Sequence, residues 1–309
     1  MAHAIIAEGL LSKREKYMPE IIKTWTEWLG SSRFAHLTET QKQQTLAWLL
    51  QVRDKILDRA DIKSGDTIID IGAGTGLLAF GAYERLKETG GRVIISDAFA
   101  DCIEECANIV RSCGIEDEIT FLQSDAADIK LADSSVDIVV MRSVLVHIID
   151  KAAPVKEFYR ILKAGSGRIS IFEPIMSKNT KFYELINPEN FHNYDRLVEI
   201  ENEITSDKND PLMNFNEETL KKNFEEAGFK NIDIDVVIQS STYQVLAEAV
   251  DPWFNTPPSP GRPTVREKYL KYMPENEVNE FIEKIKLELA GKIITINSPT
   301  AYIYAEKQV

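Results

Sequence analysis

Thr67-Ile-Ile-Asp70-Ile-Gly72-Ala-Gly74-Thr-Gly76-Leu77-Leu78 decides the fold of this chain. Its first half is an apolar, β-branched run, the composition of a buried strand. Three alternate glycines then break the run. After Gly76 the pattern turns helical, with Leu77, Leu78, Phe80 and Ala82 ahead of the charged Glu84, Arg85 and Lys87. Strand, glycine turn and helix open a βαβ unit. Glycine lets backbone approach a bound molecule where a Cβ would collide, and the free N–H groups of a helix start face it. The spacing departs from the dinucleotide fingerprint G-x-G-x-x-G, whose third glycine would fall on Leu77. No Gly-Lys-Ser/Thr follows, so the turn is not a P-loop. An acidic residue, Asp70, stands two positions before the first glycine.

Downstream, strands and helices alternate. Arg92-Val-Ile-Ile-Ser-Asp97 reads as a second strand ending on a carboxylate. That position suits hydrogen bonds from two ribose hydroxyls, or alternatively the start of the next helix, as does Asp101. Ile119–Leu122 reads as a third strand running into Gln123-Ser-Asp125-Ala126. Val136–Met141 is a fourth, with Asp137 at its start and Arg142-Ser143-Val-Leu-Val-His147 just beyond it. Asp150 caps a helix through Phe158, Ile161 and Leu162, and Arg168–Pro174, with Glu173 near its end, is the fifth strand. Asn214–Gly228 reads as a helix, Phe229–Ile238 as a sixth strand and Ala301–Glu306 as a seventh. Residues just past parallel strands lie at the carboxyl edge of the sheet, where open α/β sheets bind ligands.

In order and spacing, D-x-G-x-G-x-G, the carboxylate of the second strand, Asp125-Ala126 and the section R-I-L-K-x-G…G-R-I-S-I resemble the class I S-adenosylmethionine-dependent methyltransferases, and among them the UbiE-like small-molecule group. The resemblance covers about Asp61 to Glu173 and the closing strands. It implies an α/β, Rossmann-like, seven-stranded and mostly parallel sheet with helices on both faces, the last strand inserted antiparallel. It implies S-adenosylmethionine as cofactor and S-adenosylhomocysteine as product. Cofactor contacts are implied at Asp70, Gly72, Ala73, Gly74, Gly76, Asp97, Ala98, Asp125, Ala126, Arg142 and Ser143. On the acceptor side the candidates are His147, Glu173 and Arg142 for catalysis, with Tyr17, Phe34, His147 and Glu173 as substrate contacts. His147 serves as a base or packs beside the cofactor. Glu173 anchors a polar acceptor or holds Arg142, and Arg142 alternatively takes an acceptor carboxylate. A sulfonium methyl is already electrophilic, so the protein has chiefly to position an acceptor and exclude water, and a base is needed only where the nucleophile must lose a proton.

Outside the core, residues 1–60 read as a helical arm. Pro19–Leu29 is one helix, and Thr38-Glu-Thr-Gln41 is a capping box opening another, with Leu46, Leu49, Leu50, Ile56 and Leu57 in its stripe. Trp25 and Trp28 pack on the core, or the arm closes over the site. The remainder, 61–309, is the methyltransferase core with insertions at about 175–213 and 246–292. The second holds a proline-rich loop and a helix carrying Val278, Phe281, Ile282, Ile285 and Leu289 on one face. The two insertions read as a cap over the acceptor, the second alternatively as packed surface helices or a dimer face.

The whole-chain balance is acidic, with 36 Lys and Arg against 49 Asp and Glu over 309 residues, a net charge of −13. That argues against a nucleic-acid backbone or an anionic membrane as partner. With no long apolar run and no basic, apolar leader, the expected compartment is the cytoplasm. Cys102, Cys106 and Cys113 cluster in one stretch, which is no disulfide framework, and no metal ligand set is read. The expected activity is methyl transfer to an O, N or C atom of a small or medium-sized acceptor, or a peptide, under the cap. Its rivals are a non-catalytic S-adenosylmethionine-binding module, an arsenite methyltransferase, disfavoured by where the cysteines lie, and a nicotinamide oxidoreductase, disfavoured by the glycine spacing.

Overall fold

The computed structural model describes residues 19–31, 34, 38–258 and 261–308. Tyr17, expected near the acceptor, lies outside the described residues. Two helices precede the sheet. Helix α1, Glu20–Ser31, buries Ile21, Ile22, Trp25 and Leu29, which helical spacing puts on one face. Helix α2, Glu39–Arg59, starts on the expected capping box: Gln41 N–H donates to Thr38 Oγ1 at 3.3 Å and Thr38 N–H to Gln41 Oε1 at 3.0 Å.

The sheet follows. Strand β1 is Thr67–Ile71, helix α3 Leu77–Leu86, strand β2 Arg92–Asp97, helix α4 Ala100–Cys113 and strand β3 Ile119–Gln123. Strand β4, Ile138–Arg142, begins two residues later than expected, because Val136 forms only an isolated bridge to Leu162. Asp137 is a clasp there, accepting from Thr67 N–H at 2.9 Å and Lys163 Nζ at 2.7 Å. Helix α5 is Ala152–Ile161 and strand β5 Gly167–Pro174. Beyond them lie helices α6, Tyr194–Thr205, and α7, Glu217–Ala227, then strand β6, Lys230–Gln244. Helices α8, Ala247–Asn255, α9, Val265–Tyr269, and α10, Glu275–Leu289, lead to strand β7, Ile293–Lys307.

The strand order is β3-β2-β1-β4-β5-β7-β6, with β7 antiparallel to both neighbours, as expected. The chain leaves β1 for β2 on one side and returns to β4 on the other. That switch of direction opens a crevice at the carboxyl ends of β1 and β4. Ile71 pairs with Met141, so Gly72 and Arg142 stand side by side at its floor.

Strands β6 and β7 run well past their expected lengths. Strand β5 pairs with β7 only over Thr300–Lys307, while β6 pairs with β7 out to Gln244 and Ile293. The outer halves therefore project as a two-stranded ribbon. Its sequence, Gln-Ser-Ser-Thr-Tyr-Gln over 239–244 against Ile-Ile-Thr-Ile-Asn-Ser over 293–298, alternates only over Ile294-Thr-Ile296, too short a run to announce it.

The ribbon carries the cap. Residues 182–200 and 245–294 share one apolar cluster, separate from the two that flank the sheet. In it Phe182 stacks on Phe254 with ring centroids 4.6 Å apart. The five residues of the expected α10 stripe are all buried there. Its polar centre is Glu201, which accepts from Phe182 N–H, Tyr183 N–H and the buried Tyr269 hydroxyl. Lys268 pairs with Asp210 at 2.6 Å, again joining one insertion to the other. The insertions are thus one packed unit on a ribbon rather than two loose additions.

Candidate active site

The glycine turn is held from beneath. Asp70 is 1% exposed, and its Oδ2 accepts from Ala79 N–H at 2.9 Å, tying the end of β1 to the first turn of α3. Burial pushes its carboxyl up to about 8. Gly72 has φ +63°, and a Cβ there would lie 2.4 Å from Val144 Cγ2. Gly76 has φ +86°, and its Cβ would lie 2.5 Å from the Phe80 ring. These two glycines are required by space as well as by conformation.

Asp97, 6% exposed, faces the turn. Its Oδ2 accepts from Gly74 N–H at 2.9 Å and its Oδ1 from Phe99 N–H at 3.0 Å. A carboxylate has about four acceptor positions, so two remain for ribose hydroxyls. Helix α4 has Phe99 as its N-cap, with no side-chain cap. Ala98 is exposed, and Phe99, which the sequence reading passed over, is 71% exposed beside Asp97. An aromatic two residues after the carboxylate was the available signal. Asp125 is exposed and takes Ala127 N–H at 2.8 Å, a local turn bond, while Ala126 is buried.

Across the crevice, the loop after β4 is shaped by Glu173. This residue is completely buried. Its Oε1 accepts from Val144 N–H at 2.9 Å and Leu145 N–H at 2.8 Å, and its Oε2 from Val146 N–H at 3.0 Å. Burial raises its carboxyl to about 7. This corrects the expectation of a carboxylate open to the acceptor, since the group is completely buried and three backbone N–H groups occupy it. No ion pair joins it to Arg142 among the described residues, though its charge acts on that guanidinium. Ser143, the residue that enters this loop, sits at φ +57° and donates its N–H to Phe172 O at 2.8 Å.

His147 follows on the loop and is exposed. Its carbonyl accepts from Arg262 Nη2 of the cap at 3.1 Å. Desolvation, with the charges of Arg262 and Lys151, lowers its pKa and keeps the imidazole neutral. Lys151, 5% exposed, donates to Ile148 O and Pro211 O and lies 4.5 Å from the Phe215 ring centroid. Desolvation drops it to about 8. Lys151 and Arg262 both lock the β4 loop to the cap side. Neither stood out in sequence, because each acts across a long stretch of chain.

A cavity of about 210 Å³ lies over the turn, lined by Asp70, Gly72–Thr75, Leu77, Leu78 and Arg142 and by Trp25, Leu29, Phe34 and Leu49 of the N-terminal arm. Phe34, expected on the acceptor side, thus shares a wall with Arg142 over the glycine turn, and Trp25 joins them. Arg142 Cζ is 5.5 Å from the Trp48 ring centroid. The cysteines stay apart from this crevice's mouth. Cys106 is buried with Sγ 3.4 Å from Gly74 O, and Cys102 and Cys113 are half-buried along α4. Among the described residues no group of three His, Cys, Asp or Glu is placed to hold a metal, and no helix is long and apolar enough to cross a membrane.

Residues 45–247 match the model described as the ubiE/COQ5 methyltransferase family. The ubiquinone/menaquinone biosynthesis C-methyltransferase UbiE of Klebsiella pneumoniae subsp. pneumoniae is 27% identical over 187 residues, 57% of this chain and 71% of the relative. Among solved structures, the YcgJ protein from Bacillus subtilis aligns with a TM-score of 0.52 at 16% identity, over 83% of this chain and 98% of its own. Phosphoethanolamine N-methyltransferase 2 of Haemonchus contortus, solved with phosphomonomethylethanolamine and S-adenosylhomocysteine, aligns with a TM-score of 0.50 at 17% identity, over 92% of this chain and 60% of its own.

Proposed function

The chain belongs to the ubiE/COQ5 methyltransferase family, and from that premise we propose how its S-adenosylmethionine-dependent methyl transfer is housed and what it acts on. When bound, S-adenosylmethionine supplies an electrophilic methyl on its sulfonium. The residues present fit that group. Asp97 keeps two acceptor positions free beside the left-handed glycine turn, and the cavity over the turn is walled by the arm. Asp97 holds the ribose. Ala98, Asp125 and Ala126 border the adenine, with Phe99 flanking it. Gly72, Ala73, Gly74 and Gly76 present backbone to the remainder of the cofactor. Helices α1 and α2 exclude water from the cavity, which strengthens every polar contact inside it.

The acceptor is a small or medium-sized molecule, placed between the β4 loop and the cap. What supports this reading most is the joint at His147, where a loop pinned by Glu173 is fastened to the cap by Arg262. Glu173 acts as a positioning residue, and so does Ser143 at the loop entrance. The neutral imidazole of His147 takes the acceptor's proton where one must leave. The names of the relatives favour an activated ring carbon of a quinol precursor as the methylated atom.

The test is incubation with methyl-labelled S-adenosylmethionine and, in parallel, a demethylated quinol, a phenol and a primary amine, with the product located by mass spectrometry. Label on the quinol ring carbon is expected. Label only on the phenol or amine would move the reading to an O- or N-methyl transfer, and failure to bind S-adenosylmethionine would overturn the cofactor site.

A further inference from the structure

Two buried nitrogen donors in the described structure have no hydrogen-bond acceptor, and the residues that carry them line the same cavity. Trp25 is 1% exposed, and its Nε1 has no partner among the described residues. Arg142 likewise has a buried, unpartnered Nε. Both side chains are in the wall of the cavity over the glycine turn. Arg142 also has no carboxylate within ion-pair distance among the described residues: Glu173 and Asp70 act on its charge only from farther off, and its flat neighbour is the Trp48 ring. An unmet buried donor is costly, and an unpaired buried guanidinium more so. Indole N–H and guanidinium are donors only, so what satisfies both must present acceptor oxygens and, opposite the cation, a negative charge.

The strand order says which part of the cofactor this is. Asp97 and Asp125 lie at the ends of β2 and β3, on one side of the glycine turn, and take the adenosine. Arg142 ends β4, on the other side, where Ile71 pairs with Met141. A molecule crossing the turn from the adenosine side brings its amino-acid tail to Arg142. We propose that Trp25 Nε1–H and the Arg142 guanidinium together hold the carboxylate of the cofactor's methionine moiety, so that the N-terminal arm is part of the cofactor site and not only a wall around it.

This inference rests on the reading of the cofactor as S-adenosylmethionine, and the experiment separates the two. Calorimetric titration uses S-adenosylmethionine, S-adenosylhomocysteine and decarboxylated S-adenosylmethionine against the wild type, Trp25→Phe and Arg142→Gln. Hydrogen bonds to a charged group are worth enough to predict losses of about tenfold for Trp25→Phe and about 30- to 100-fold for Arg142→Gln, with the two carboxylate-bearing ligands only. The decarboxylated ligand should bind all three proteins within about twofold, and its binding also reports that each variant is folded. Equal weakening of all ligands, or none, would overturn the assignment to the carboxylate. A wild type that binds none of the three would overturn the cofactor reading itself.

Discussion

The two walls of the crevice are built over different lengths of chain. On the β1–β3 side the contacts span 23 positions or fewer. Asp70 reaches Ala79 nine positions away, Asp97 reaches Phe99 two away and Gly74 23 away. On the β4–β5 side they are remote. Glu173 grips backbone 27 to 29 positions back, Lys151 reaches Pro211 over 60 positions and Arg262 reaches His147 over 115. The first wall is written in a motif, the second only in a packed fold. On the proposed reading, the wall of shorter contacts holds the cofactor, and the wall facing the acceptor depends on the insertions.

The contrast is most directly broken at Gly72, where the two walls touch through Val144. Gly72→Ala is expected to destabilise the protein by about 2–3 kcal/mol and to weaken S-adenosylmethionine binding by about 100-fold, because the new Cβ meets Val144 in a left-handed backbone. Thermal denaturation and calorimetry would check this, and adding Val144→Ala should recover part of the loss. Full affinity in the single variant would mean that the walls are not in contact as described.

Glu173→Gln acts on the remote wall alone. An amide cannot accept from Val144, Leu145 and Val146 as the carboxylate does, so turnover should fall by about 10- to 100-fold while S-adenosylmethionine affinity stays within about threefold. A kcat loss with matching loss of cofactor affinity would place Glu173 in the cofactor wall instead. The same variant carries a pH signature. The folded carboxyl titrates near 7, above its ordinary 4.5, so the folded chain holds that proton more tightly than the unfolded one. Its contribution to stability is therefore full below about pH 4.5 and is lost as pH rises through 7. Melting temperatures measured across that window should decline more in the wild type than in Glu173→Gln.

Tyr269→Phe, far from both walls, removes one donor from the buried Glu201 at the centre of the cap. It should cost about 1–3 kcal/mol of stability, seen as faster amide hydrogen exchange in α8–α10 with cofactor affinity unchanged. Equally faster exchange in the sheet, or loss of cofactor binding, would show that the cap is not a separate packed unit. The smallest effect is expected at Gly74→Ala. Gly74 also has a left-handed backbone, at φ +55°, but a Cβ there meets nothing within 4 Å. A cost of about 1 kcal/mol by thermal denaturation would sharpen the distinction between a glycine needed for its backbone and one needed for its size.

Much of the architecture was legible before any coordinates. The Thr38–Gln41 box, the five-residue stripe of α10 and the run into Gly72 are signals confined to a few turns of chain, and each element formed where its signal lay. Strands alternating with helices gave the α/β class, and the antiparallel insertion of the last strand came from the resemblance. What was not legible has one common cause. The ribbon half of β6 is polar and that of β7 alternates only over Ile294-Thr-Ile296, whose partners are the distant cap helices and not the sheet. Glu173 was read as facing a ligand because a strand-end carboxylate usually has room to do so, and its backbone partners come from another strand's loop. Phe99, Lys151, Arg262 and the donor atom of Trp25 carry no motif at all.

By itself the amino-acid sequence determined the α/β sheet, the glycine turn, the carboxylates around it and hence the family's cofactor, because those features depend on backbone conformation and on side chains a few turns apart. The tertiary structure alone decided that the two insertions share one core, that Glu173 shapes a loop, and that Trp25 meets Arg142 across a cavity. Those outcomes depend on which buried polar groups find partners once distant segments pack, and no local pattern in a chain records that pairing.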